Sequence, residues 1–154
     1  MKKLALPLIL TAIASSSWGA DSQDKSPVPS ASISREATRA VSKVPEDRFT
    51  GNVRVAYLFP ANAPASATGG QVMFDAGART AWHAHPMGQT LIVTAGAGRV
   101  QFWGGPIQEI KPGDVVWIPP GEKHWHGAGP NSLMTHLAMQ ESDDSGSFAT
   151  WLEH

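Results

Sequence analysis

Apolar residues along this chain come in short runs, and past Phe49 those runs are bounded by Gly and Pro rather than continuing with a helical period. The runs at Val53–Phe59 and at 71–75, 90–94, 98–103, 114–118, 123–128 and 134–140 each have the length and boundaries of a strand. Strands this short and this evenly spaced predict an all-β domain closed as a barrel or sandwich. A final turn is expected near 148–152, and no internal repeat is visible.

The first 48 residues follow other patterns. Lys2 and Lys3 precede an apolar run at 4–14 and a small-residue stretch at 15–20, the layout of a secretory signal. That run is shorter than the roughly 20 residues a spanning helix needs. Residues 1–20 are therefore expected to be a signal peptide, with export to the periplasm and no membrane attachment after processing. Residues 21–48 are rich in Ser, Pro and charge and read as a flexible tether, with a short frayed helix around 35–41. Residues 49–154 remain as the folded domain.

Composition narrows the chemistry. The 154 residues suffice for one core and not for two, and 15 Gly with 12 Pro suit strands joined by tight turns. Loss of residues 1–20 removes two of the twelve basic residues and none of the thirteen acidic ones, which leaves a formal charge of −3 and argues against nucleic acid as a partner. The absence of cysteine excludes disulfides and thiolate ligands and suits an oxidising compartment. Any metal must rest on His, carboxylate or amide.

Such groups gather in two stretches. In the first, Gly77 to Gly96, His83 and His85 stand two apart and so share one face of a strand, while Pro86 and Gly88 enforce a turn that can swing the Gln89 amide to the same point. In the second, Gly113 to His126, a turn at 119–121 launches a strand that opens with His124. His83, His85, Gln89 and His124 are the candidate metal ligands. A hydrogen-bonded core role is the competing reading for the histidines, and an amide beside the ligands rather than among them for Gln89. His126 shares the face of His124, but a fifth protein ligand would close the site, so it is assigned to the pocket. His136 shares a face with Ala138 and Gln140, opposite Leu137 and Met139. It is either a satisfied core histidine or a group that reaches a ligand on the metal. Val72, Phe74, Trp82, Trp103 and Trp125 are read as core or pocket wall.

Together the two stretches resemble the paired motifs of the cupin superfamily. Gly77, His83, His85, Gln89 and Gly96 match the first, with Gln where Glu is usual. Gly113, Pro119, Gly121 and His124 match the second, with Ala128 where Asn is usual. The resemblance covers about 49–140 and implies a single-domain cupin jelly-roll barrel with the metal inside. The run from His83 to Gly96, with 121–127 and 134–138, is similar to small bacterial cupins that act as manganese-dependent hydroxynitrile lyases. That resemblance implies cleavage of (R)-cyanohydrins to an aldehyde and hydrogen cyanide, one divalent metal (manganese, with iron or zinc as alternatives) on His83, His85, Gln89 and His124, and His136 as acid/base. Gln140 is expected to line the substrate pocket with His126, Val72 and Trp82.

Gln in place of Glu has a physical consequence. Four neutral ligands leave a divalent ion its full charge, which favours Lewis-acid chemistry over oxidation to the trivalent state. An oxygenase that cleaves carbon–carbon bonds and a periplasmic protein that binds a small ligand are the other readings. Segments 91–93 and 115–118 are apolar on both faces, so a homodimer or homotetramer is expected.

Overall fold

Alternating side chains and closely spaced turns fold the chain into two facing antiparallel sheets. The structure, a computed structural model, describes residues 31–153. The expected signal peptide, the first part of the tether and His154 lie outside them. In chain order the strands are β1 (Val41–Lys43), β2 (Phe49–Thr50), β3 (Val53–Phe59), β4 (Ala67–Phe74), β5 (Arg79–Thr80), β6 (His83–Ala84) and β7 (Gln89–Gly96). They continue as β8 (Gly98–Phe102), β9 (Ile107–Ile110), β10 (Val115–Ile118), β11 (His124–Ala128), β12 (Met134–Glu141) and β13 (Thr150–Trp151). One sheet runs β1-β3-β4-β12-β7-β10; the other runs β13-β6-β11-β5-β2, with β8 also on β11 and β9 on β8.

This is the expected jelly roll, and its core follows from the period of two. Val53, Phe74, Leu91, Val93, Ile118 and Met134 point inward and pack together, while their neighbours along each strand point out. On β12 the inward set is Met134, His136, Ala138 and Gln140, as the sequence pattern indicates.

The chain departs from expectation at both ends. Val41–Lys43, which the sequence places in the tether, pairs with Ala56 to Arg54 and adds an edge strand to the first sheet. The helical stretch shrinks to a 3-10 turn, Glu36–Thr38. Near the C-terminus, strand β13 pairs with β6 where only a turn was expected. These segments are too short to show a period, and partners distant in sequence decide their conformation. Among the described residues no helix is long and apolar enough to cross a membrane.

Candidate metal centre

Strand pairing, not proximity in sequence, brings the three histidines together. β6 and β11 are antiparallel neighbours with His83 directly opposite His124, and their ring centroids are 4.2 Å apart. His85 lies just past the end of β6, its ring 5.1 Å from that of His83. Its carbonyl accepts from the amides of Gly88 and Gly121, which ties the two motif turns to one point. Gly88, at φ +80°, is required there: a Cβ would stand 2.7 Å from the Ile118 carbonyl and the Trp117 ring. The ligand nitrogens of His83, His85 and His124 fall within 4.8 Å of one another.

Each of these rings is oriented by a backbone carbonyl. Nδ1–H donates to Ala81 from His83 (3.0 Å), to Glu122 from His124 (2.9 Å) and to Phe148 from His85. The neutral tautomer so fixed carries its lone pair on Nε2. Nε2 of His85 and of His124 is buried without a partner, as is Oε1 of Gln89. Gln89 is oriented in turn: its Nε2 donates to Oε1 of Gln140 (3.2 Å), whose own Nε2 donates to the Thr68 hydroxyl (3.1 Å). With the amide N–H committed to Gln140, the carbonyl oxygen is the free end, and the side chain abuts His85.

Behind this group lies a second one. His126 and His136 are fully buried, with Nδ1 of the first 3.1 Å from Nε2 of the second. Thr80 accepts the His126 amide, and Phe74 packs against both rings. Burial holds all five imidazoles below their ordinary range. His124 and His136 are pushed down to about 4, and His83 and His126 well below 6.5; for His83, His124 and His126 repulsion from neighbouring histidines adds to the effect of burial. Neutral imidazoles with bare nitrogens and one free amide oxygen are a donor set that fits one divalent metal. Buried polar atoms without partners are otherwise costly.

Most of the residues singled out in the sequence therefore meet. His83, His85 and His124 form one cluster; Gln89 and Gln140 flank it; His126 and His136 pair behind it; Val72 lies beside His136 in the β4–β12 register. Trp82 does not join them. Alternation puts it on the opposite face from His83, where it packs edge-on against the exposed Trp103, so its assignment to the pocket is corrected. Several contributors have no side-chain signature in the sequence, among them the carbonyls of Ala81, Glu122 and Phe148. Trp151, whose ring stacks on His83 at 4.7 Å, could have been noticed as an aromatic near the C-terminus.

Comparison with known proteins agrees with the architecture. The pattern of the family described as "Cupin domain" matches residues 70–135. A protein of Granulicella tundricola named (R)-mandelonitrile lyase is 58% identical over 122 residues, spanning 79% of this chain and 92% of that protein. A cupin-like protein of Thermotoga maritima superposes with a TM-score of 0.68 at 44% identity, over 73% of this chain and 84% of the other. A cupin 2 conserved barrel domain protein of Rhodopseudomonas palustris shares the fold at 20% identity, TM-score 0.63, over 74% and 77% of the two chains. The chain belongs to the cupin family.

Proposed function

We propose that this chain is a metal-dependent lyase that cleaves (R)-cyanohydrins such as mandelonitrile to an aldehyde and hydrogen cyanide, with manganese as its metal. The observation that carries the reading is a donor set of three imidazoles and an amide, without a carboxylate, next to a neutral buried imidazole pair. Support comes also from the 58% identity to a relative named (R)-mandelonitrile lyase. A divalent ion held by His83, His85, Gln89 and His124 would supply Lewis-acid polarisation of the substrate hydroxyl.

The remaining tasks fall to the chain. His136, neutral because it is buried, takes the hydroxyl proton as the bond between carbon and cyanide breaks, and returns it to the departing cyanide. Its Nε2 is engaged with His126, so Nδ1 is the nitrogen without a partner. His126 holds the ring in place, Val72 and Phe74 keep its surroundings apolar, and Gln140 keeps the Gln89 oxygen turned outward from the amide pair.

Cyanide release from (R)-mandelonitrile by metal-loaded protein under strict exclusion of oxygen tests the reading. His136→Ala should retain the metal and lose about 10²-fold or more in turnover, the usual scale for a general acid/base. No cyanide release from the loaded parent would put a carbon–carbon-cleaving oxygenase or a small-ligand-binding protein in its place.

We further propose that the protein works in the periplasm after export and as a homodimer or homotetramer. The pattern of residues 1–20 and the absence of cysteine support export. Support for assembly comes from the outer face of the six-stranded sheet, where Val115 and Trp117 are more than half exposed beside Ile92, Leu137 and Met139.

A further inference from the structure

The segment that follows β12 lies beyond the residues matched by the cupin pattern, yet it makes direct contact with two of the three clustered histidines. Its course is set by Asp143. The Oδ1 of that side chain accepts from the Ser145 amide (2.9 Å), the Ser145 hydroxyl (2.7 Å) and the Ser147 amide (3.0 Å), and its own amide donates to the Ser147 carbonyl (2.9 Å). Gly146, at φ +82°, completes the turn and sends the chain back across the edge of the second sheet.

Three contacts follow in order. The Phe148 carbonyl accepts Nδ1–H of His85. Strand β13 then pairs with β6, with Trp151 opposite His83, and the indole lies nearly parallel to the His83 ring, 21° between planes at 4.7 Å. Finally Leu152 donates to the Trp82 carbonyl (2.8 Å) and Trp82 to the carbonyl of Glu153 (3.1 Å), pinning the backbone on the residue before His83. Trp151 is itself wedged by Phe49, 5.4 Å away, and by the Arg48 guanidinium, 5.6 Å from its ring.

We infer that residues 142–153 act as a clamp on the metal centre, with Trp151 as a positioning residue that holds the His83 ring and the Phe148 carbonyl fixing the His85 tautomer. The inference rests on the metal-binding reading above. A ligand ring held in its binding orientation before the ion arrives loses less freedom on binding, and partners of this kind are worth about 10- to 100-fold in metal affinity. The His83 ring also lies 4.2 Å from that of His124, tilted by 52°, and donates through Nδ1–H to the Ala81 carbonyl. Removal of the indole therefore takes away the stacked contact and leaves the ring with its Ala81 hydrogen bond and its histidine neighbours.

The test uses the purified protein stripped of metal and titrated with Co²⁺, whose visible absorption reports both affinity and coordination geometry. Trp151→Ala should weaken Co²⁺ binding about 10- to 100-fold and change the spectrum, while Trp151→Phe, which keeps a stacking ring, should stay near the parent. Melting of the metal-free forms is measured in parallel. Unchanged affinity in Trp151→Ala overturns the clamp. So does equal loss in both variants, or a loss matched by an equal fall in stability of the metal-free protein. A parent that binds no Co²⁺ overturns the metal reading itself, and is distinct from a parent that binds while the variants are unaffected.

Discussion

Gln89 stands where the cupin motif usually has Glu, and the structure shows how its amide is oriented. Its amide N–H is spent on Gln140, which leaves a neutral oxygen as the donor. In Gln89→Glu the N–H is lost, but Gln140 can turn its amide over, because the Thr68 hydroxyl can donate as well as accept. The fold should tolerate the change. On the proposed mechanism metal content should hold or rise, and cyanide release should fall, since the added carboxylate would cancel part of the charge that acidifies a bound hydroxyl. Elemental analysis and cyanide assay on the same preparations check this, and undiminished turnover with retained metal would sink the charge argument. Gly88→Ala should act differently: with φ +80° and no space for a Cβ, it should cost on the order of 1–3 kcal/mol in thermal unfolding and displace Gln89. At this scale the grouping of His83, His85 and His124 was legible because their spacing is itself the motif. The orienting carbonyls were not, since a carbonyl carries no residue identity. Trp82 was misplaced although alternation from His83 already pointed it outward.

The longer strands were legible as apolar runs closed off by Gly and Pro, as β3, β7, β8, β10, β11 and β12 are, whereas only the second half of β4 was read and the largely exposed β9, Ile107–Ile110, was not. The two-residue strands β2, β5, β6 and β13 have no period to show and exist through their partners. The 91–93 and 115–118 segments, apolar on both faces, form the adjacent strands β7 and β10 of the six-stranded sheet, and their outward side chains are what a partner subunit would cover. Trp117→Glu on β10 should therefore shift a dimer or tetramer toward monomer in light scattering coupled to gel filtration, while the inward-facing metal centre keeps its ion. An oligomer that survives both this change and Leu137→Asp on β12 would show that assembly uses another surface.

For the whole molecule, burying five neutral imidazoles makes stability depend on pH. The unfolded chain takes up protons near the ordinary imidazole pKa of about 6.5, whereas the folded chain resists until about pH 4 for His124 and His136, and burial holds His83 and His126 well below 6.5 as well. Between those limits the unfolded state binds more protons, so the metal-free protein is most stable above about pH 6.5 and weakens as pH falls, each such histidine contributing up to about 1.4 kcal/mol per pH unit. Melting temperatures of the metal-free protein from neutral to mildly acid pH should fall steeply. A flat profile would mean that these rings are not buried as neutral groups.

The opposition of His83 on β6 and His124 on β11 also bears on how the protein comes by its ion. Three of the candidate ligands lie within seven residues of one another, but His124 is supplied only once β11 has paired, so an unfolded chain offers an incomplete site. Binding to the folded form alone means that mass action couples occupancy to folding, adding about 2.7 kcal/mol when free metal stands at about 100 times its dissociation constant. The ion is thus chosen where the chain folds. For a chain exported unfolded, the metal supply outside the cytoplasm, rather than the one at the site of synthesis, would decide which ion the barrel keeps.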